Sequence, residues 1–226
     1  MFNKFTTAGL SFPAQGSAGF NGTSDYIQTD NPFSGNTTDF TISFWMNATS
    51  GSPISFGQVG DGSNYALFYK NSSLLKWEVR ATFGNQNLST TSNPYSGNWE
   101  FIALSVAGST GSIYVNGSKE ATASASATFS GDLLIGRYGG GLNLDGNLAN
   151  VAIWNRALSS DEINSVMWKP VQALTATESN GLQAWYSLDD ITSPTASLAS
   201  MEQLATDKDA TIENKAAITA AVNSLS

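Results

Sequence analysis

The chain has 226 residues, no cysteine, no histidine and a formal net charge of −8, with only 12% of its residues charged. The missing residue types exclude disulfides, thiolate metal sites, the usual zinc sites, and Ser-His-Asp or Cys-His catalysis. The sparse acidic charge argues against nucleic-acid binding, which needs clustered Lys and Arg to neutralise phosphates.

The N-terminal stretch MFNKFTTAGLSFPAQG has no continuous apolar segment of the kind found in signal peptides. No apolar run elsewhere is long enough to span a bilayer. If Met1 is the natural start, we expect synthesis in a host cytoplasm without the common export route, and no membrane partner.

Short strands separated by turn residues are predicted from about residue 10 to 157. In DFTISFWMNA the apolar residues recur at every second position, which places them on one face of a strand. These residues are Phe40, Ile42, Phe44 and Met46. YALFY and LLKWEV flank the turn-rich residues 70–73, and this arrangement predicts a hairpin.

The next strands follow the same rule. WEFIALSV alternates Ile102, Leu104 and Val106, and SIYVNGSKEA contains Asn116-Gly117, a strong hairpin signal because both residues tolerate positive φ. DLLIG and LANVAIWN complete the series. Many short strands with few helical windows predict an all-β fold, an antiparallel two-sheet sandwich.

One short helix is predicted after these strands. Ser159 and Glu162 form an S-x-x-E capping box, and Pro170 ends the helix. LQAWYSL (182–188) then predicts a further strand. Asp161 lies with Glu162 in the first helical turn, where negative charge stabilises the helix dipole.

The composition changes near the C-terminus. From Pro194 to Ser226 there is no aromatic residue and no glycine, and the apolar residues lie at helical spacings. We therefore predict a jelly-roll domain over 1–190 and a helical tail over 191–226. The tail either packs on its own sandwich or docks on another chain, and the sequence favours neither.

Several motifs resemble one known family. In order they are FNGTSDYIQ, FTISFWM, NWEFIALSV, SIYVNG, LLIG and LDGNLANVAIWNRALSSDEI. This series resembles the laminin-G-like/pentraxin group of concanavalin A-like jelly rolls. The resemblance implies two antiparallel sheets packed face to face, with calcium and glycan sites on one face or rim.

GRYGGGLNLDG (136–146) is rich in glycine and admits three interpretations: a phosphate loop, a calcium site or a turn. It lacks the Lys-Ser/Thr of a phosphate loop, and a strand follows it instead of a helix. Arg137 and the glycines occupy places that are acidic in pentraxins, so the resemblance does not support their double calcium site. A single laminin-G-like site built from Asp25, Asp61, Asp145 and loop carbonyls stays open, although Asp-Gly also favours a plain turn.

Glycan contacts are the second candidate chemistry. Tyr95 and Tyr138 lie in turn-rich loops, where an exposed ring beside Arg137 suits a sugar. The alternative is a tyrosine folded back over a sheet edge. The glucanases of this superfold place paired carboxylates at i, i+2 on one strand, and this pattern is missing. We therefore expect no enzymatic activity.

Two functional hypotheses follow. The first is a phage virion surface component, decorating a capsid or forming part of a tail appendage, with residues 194–226 docking on viral protein partners. The second is a lectin-like carbohydrate-binding adhesion module, assisted by Ca²⁺, at a cell surface or outside the cell. We expect a homo-oligomer in the virion case.

Overall fold

Thirteen strands, two short helices and one 3₁₀ turn form the regular structure of the described residues. In this computed structural model these are residues 16–33, 38–56, 65–81, 84–125, 127, 129, 131–139 and 141–189. The strands are β1 (Ala18–Asn21), β2 (Ile27–Thr29), β3 (Phe40–Ser50), β4 (Ile54–Phe56), β5 (Tyr65–Asn71), β6 (Leu74–Ala81), β7 (Gly84–Ser89), β8 (Glu100–Ala107), β9 (Thr110–Val115), β10 (Ser118–Ser124), β11 (Leu133–Ile135), β12 (Asp145–Trp154) and β13 (Leu182–Tyr186).

The larger sheet has seven strands in the order β1-β12-β3-β8-β9-β10, and β13 also pairs with β12. β1 pairs with residues 145–148 of β12, and β13 pairs with residues 151–154. The two strands therefore share one edge of β12. The predicted strand LQAWYSL is confirmed in this position.

The smaller sheet has six strands in the order β2-β11-β4-β5-β6-β7. All pairings in both sheets are antiparallel, which confirms the predicted sandwich. The predicted hairpin forms between β5 and β6, with Ser72 at φ 59° in its turn. Asn116 and Gly117, at φ 51° and 79°, turn the chain from β9 to β10 as expected.

The core lies between the two sheets. The alternating residues of β3 that were predicted to share a face are all buried there. Phe129 is central to an aromatic cluster, with ring centroids 4.2 Å from Phe33, 4.8 Å from Phe40 and 4.6 Å from Phe56. Each such ring removes a large apolar area from water, which is the main stabilising term for a chain without disulfides.

Two helices, α1 (Ser160–Val166) and α2 (Ala176–Ser179), lie near the larger sheet. The predicted capping box of α1 is confirmed. The Ser159 side chain accepts from the Glu162 backbone N–H, and the Glu162 carboxylate accepts from the Ser159 backbone N–H. A second capping box, Thr175 with Glu178, begins α2. The predicted tail, 191–226, lies outside the described residues. Neither helix is long and apolar enough to cross a membrane, judged over the described part of the chain.

Candidate functional site

The outer face of the seven-stranded sheet is closed by the helical region. A second apolar cluster, separate from the inter-sheet core, lies between this face and α1. Its buried members are Trp45, Phe101, Ala103, Tyr114, Ala149, Ala152, Trp154, Leu158, Ile163, Val166, Met167 and Trp185. The Trp45 indole donates to the Met167 carbonyl, and the Trp154 indole donates to the Glu178 carbonyl. This side of the sandwich is therefore structural.

The outer face of the six-stranded sheet has a different character. One row of outward-pointing residues crosses the sheet from β2 to β7 through consecutive register pairs. The row is Gln28, Leu134, Ser55, Leu67, Glu78 and Asn87. Tyr65 and Tyr69 lie two residues before and after Leu67 on β5, and Lys76 lies opposite Tyr69 on β6. Among the described residues, no helix covers this face.

Glu78 is the polar centre of this face. Its carboxylate accepts hydrogen bonds from the Tyr69 hydroxyl at 2.9 Å and the Tyr65 hydroxyl at 3.3 Å. Lys76 donates to the same carboxylate at 3.3 Å, and its ammonium also lies 5.4 Å from the centroid of the Tyr69 ring. Burial alone would raise the pKa of Glu78, but these donors outweigh it and hold the pKa below its usual value. The carboxylate is therefore an ionised acceptor at neutral pH.

Residues 137 and 138, which follow β11, lie over the same face. The Ser55 hydroxyl, in the middle of the transverse row, donates to the Arg137 carbonyl at 2.8 Å. The Tyr138 ring then packs on Tyr65, with ring centroids 5.2 Å apart and the planes at 49°. This segment covers the apolar centre of the row, where Leu67 and Leu134 are only 2% and 3% exposed.

Arg137 lies over a further tyrosine. Its guanidinium carbon is 4.5 Å from the centroid of the Tyr26 ring, which is typical of a cation–π contact. Tyr26 directly precedes β2, so Arg137 and Tyr138 share one surface with Tyr26 and with residues of β5 and β6. We call this surface the tyrosine face; it consists of Tyr26, Tyr65, Tyr69, Lys76, Glu78, Arg137 and Tyr138.

Two of the three predicted ligand-binding residues, Arg137 and Tyr138, lie together on the tyrosine face. Tyr138 is 8% exposed and folds back on its own sheet, as in the alternative weighed above. Tyr95 lies elsewhere and is not an exposed loop residue. It is 5% exposed in the inter-sheet core, and its hydroxyl donates to the Gly51 carbonyl at 2.9 Å. Tyr95 is therefore not part of the tyrosine face.

The predicted calcium ligands are only partly brought together. Asp25 lies in the loop after β1 and Asp145 begins β12, and the two segments adjoin, since the Gly22 N–H donates to the Leu144 carbonyl at 2.8 Å. Asp25 is buried and accepts from the Asn21 amide at 3.0 Å, whereas Asp145 is exposed and accepts from Thr49 at 3.1 Å.

Calcium prefers six to eight oxygen ligands. Within the described ranges, no group of three or more acidic side chains that could hold a metal ion lies together. Asp61 lies outside the described residues, and the site that includes it stays a prediction.

The residues of β5 and β6 on the tyrosine face were not predicted as site residues, although the sequence contains a pattern that indicates them. Tyr65, Leu67 and Tyr69 alternate in YALFYK, and Lys76 and Glu78 alternate in KWEV. Such i, i+2 spacing places side chains on one face of each strand. The hairpin prediction then brings the two sets together across β5 and β6.

Comparisons with known proteins give one family and a set of similar folds. The model of the concanavalin A-like lectin/glucanases superfamily, Laminin_G_3, matches residues 21–164. No curated protein sequence matches the chain.

Three solved structures illustrate the likeness of fold. The first is domain 4 of AbnA, an extracellular arabinanase from Geobacillus stearothermophilus, in complex with arabinotriose. It has a TM-score of 0.59 and 14% identity, and the match covers 74% of this chain and 84% of that one. The second is the CBM40 of a Ruminococcus gnavus IT-sialidase bound to α2,3-sialyllactose, with a TM-score of 0.52, 17% identity, and 68% and 99% coverage.

The third is domains LG4-5 of the mouse laminin α1 chain, with a TM-score of 0.54 and 11% identity. That match covers 70% of this chain and 47% of the other. At these identities the likeness shows the fold alone.

Proposed function

Because this chain belongs to the concanavalin A-like lectin/glucanases superfamily, we propose that it is a non-enzymatic carbohydrate-binding module that holds its glycan on the tyrosine face. One observation carries the proposal. A sheet surface that no described helix covers gathers four tyrosines with an ionised carboxylate, a lysine and an arginine.

The chemistry of this face suits a sugar. Sugars present apolar ring faces, which pack on aromatic side chains, and hydroxyls, which need fixed donors and acceptors. Glu78 supplies an acceptor that Tyr65 and Tyr69 hold in place. Side chains that are already oriented lose little entropy on binding, and this favours affinity.

The comparisons support the proposal without naming a ligand. The arabinanase domain was solved with arabinotriose and the sialidase module with sialyllactose. The same fold therefore holds glycans in those proteins. We carry over only the class of ligand, and this is part of the proposal.

Two features support the absence of hydrolysis. A glycosidase needs a general acid whose pKa is raised, whereas the pKa of Glu78 is lowered. Asp161 and Glu162 lie in the first turn of α1, where Glu162 caps the helix and pairs with Arg156 at 2.8 Å. These carboxylates stabilise the start of α1.

A glycan array followed by titration calorimetry tests the proposal. Tyr69→Ala should weaken binding of the best glycan about 10-fold or more, because it removes a ring and a hydroxyl that orients Glu78. Tyr69→Phe keeps the ring and should lose less. Lys119→Ala, on the exposed β10 of the other sheet, is the matched control and should bind normally. Equal binding by all three variants, or no glycan bound by the wild type, would contradict the proposal.

The virion role stays a prediction. It rests on the missing catalytic residue types and the Ser/Thr/Asn/Gly-rich composition, as do the homo-oligomer and a docking role for residues 194–226. A module of this kind would serve a virion surface as an adhesion element. Co-sedimentation of the native protein with viral particles, seen by electron microscopy, is the measurement that checks it.

A further inference from the structure

Arg137 differs from the paired cations of the described residues. Within the described residues, Lys76, Arg156 and Lys169 each lie within 4.0 Å of a glutamate carboxylate. In that same part of the chain, no carboxylate lies within this distance of Arg137. Its Nε is buried and donates no hydrogen bond. The contact to Tyr26 removes water from one face of the guanidinium without supplying an acceptor.

An arginine in this state has unused binding capacity. The guanidinium is planar and presents its N–H groups as a rigid fork, which matches the two oxygens of a carboxylate. Donors that are removed from water and left unpaired cost free energy that an incoming acceptor recovers. The tyrosine ring below the guanidinium fixes its plane, and the Ser55 bond to the Arg137 carbonyl fixes its backbone.

From this arrangement we infer that Arg137 binds the carboxylate of an acidic sugar residue at the Tyr26 end of the tyrosine face. The inference rests on the proposed carbohydrate-binding function and narrows its ligand class. A phosphate or sulfate would meet the same charge and the same fork, so sulfated glycans are included as an outcome of the test that would change the ligand class.

The Glu78 end of the tyrosine face determines which charge the remaining sugar residues of the ligand can carry. Glu78 lies across β4 and β5 from the Arg137 end, and its carboxylate is held ionised. Glu78 presents acceptor oxygens and is already paired with Lys76, so this end suits sugar hydroxyls and, among the described side chains, offers no free cation to a second carboxylate. The expected ligand therefore has one carboxylated sugar next to neutral residues, and a glycan acidic at every residue should bind less well.

A glycan array that prints each carboxylated glycan beside its neutral methyl ester tests this inference. The full chain is compared with Arg137→Gln, Arg137→Lys and the control Lys119→Gln, which removes the same charge from the exposed β10. The wild type should prefer the acid to its ester. Arg137→Gln should lose about 10- to 100-fold in affinity for the acid, the range for a hydrogen bond to a charged group. Arg137→Lys should fall between, because it keeps the charge without the fork.

Melting curves of the variants show whether each is folded, and affinity for the ester gives a second readout. If Arg137→Gln weakens the acid and the ester equally, the residue only positions the loop and the inference is wrong. If the wild type binds neutral glycans or sulfated glycans best, the ligand class is wrong while the proposed function stands. If no glycan binds, the proposed function itself fails.

Discussion

Replacing Glu178 by glutamine tests how the helical region is held together, since the side-chain partners of Glu178 lie between residues 165 and 175. Its Oε1 accepts from Lys169 Nζ at 2.5 Å and from the Ser165 hydroxyl at 2.6 Å, and its Oε2 accepts from the Thr175 backbone N–H at 2.8 Å. The side chain is only 7% exposed. In Glu178→Gln, the carboxamide nitrogen would face donors and the ion pair would be lost.

The magnitude follows from the pKa of the carboxyl. Burial alone would raise the pKa of Glu178, but its hydrogen-bond donors outweigh burial and lower the pKa from 4.5 to about 2. At 1.36 kcal/mol per pKa unit, this lowering corresponds to about 3 kcal/mol of stability at neutral pH. Lys169 is partly open to solvent, which screens the pair, so we expect about 2 to 3 kcal/mol.

The sign of the pH dependence is fixed by the direction of the shift. The folded pKa lies below that of the unfolded chain, so the contribution is complete above about pH 5 and is lost as pH falls from about 4.5 toward about 2. Urea unfolding followed by tryptophan fluorescence should show Glu178→Gln less stable by about 2 to 3 kcal/mol near pH 7, and by roughly half of that near pH 3. Asp161→Asn removes an exposed carboxylate and should change stability by less than about 0.5 kcal/mol at either pH. The same Glu178→Gln deficit at both pH values would refute the electrostatic reasoning.

Three further substitutions probe the backbone, the core and a helix cap by denaturant unfolding. Gly136→Ala should lower the free energy of unfolding by about 3 kcal/mol, because φ is +82° and a Cβ would lie 2.1 Å from the Phe20 ring. Gly141→Ala, at φ +94° in open space, should lower it by about 1 kcal/mol. Equal losses would show that the Phe20 ring moves aside to accommodate the Cβ. Phe129→Ala should cost about 3 to 5 kcal/mol as a cavity in the aromatic cluster, and a loss below about 1 kcal/mol would contradict its central place. Ser159→Ala should lower the free energy of unfolding by about 1 kcal/mol, and Ser159→Thr, which keeps a capping hydroxyl, by much less. Equal losses in the two variants would show that the hydroxyl does not cap α1.

Local rules predicted the sandwich because they act within a strand or a turn. The alternation of Phe40 to Met46 requires only the period of the β-strand, and Asn116-Gly117 requires only a tolerance of positive φ. The Ser159 capping box is local in the same way. Thr175 and Glu178 form the same T-x-x-E pattern, so the start of α2 was also readable from the sequence.

The surroundings of the loop tyrosines required long-range information. Tyr95 is buried with its hydroxyl bonded to the Gly51 carbonyl, and Tyr138 is buried because Arg137 and Tyr138 return over β4 toward Tyr65. Turn-rich flanks are compatible with either exposure or burial. Whether such a tyrosine is exposed or buried depends on which carbonyl or ring lies opposite it in the folded chain. A local sequence pattern does not contain that information.

The return of Arg137 and Tyr138 over the sheet also couples binding to folding, and mutations can separate the two effects. Gly136 sets the direction in which the chain leaves β11, and the next two residues form the Arg137 and Tyr138 part of the tyrosine face. Gly136→Ala should therefore weaken glycan binding in the molecules that remain folded, in addition to lowering stability. Phe129→Ala acts from the inter-sheet core and should lower stability while folded molecules keep their affinity. If both variants lose affinity in proportion to stability, the face is not a local structure set by this loop. If only Gly136→Ala does, the loop that closes the sheet also shapes the site.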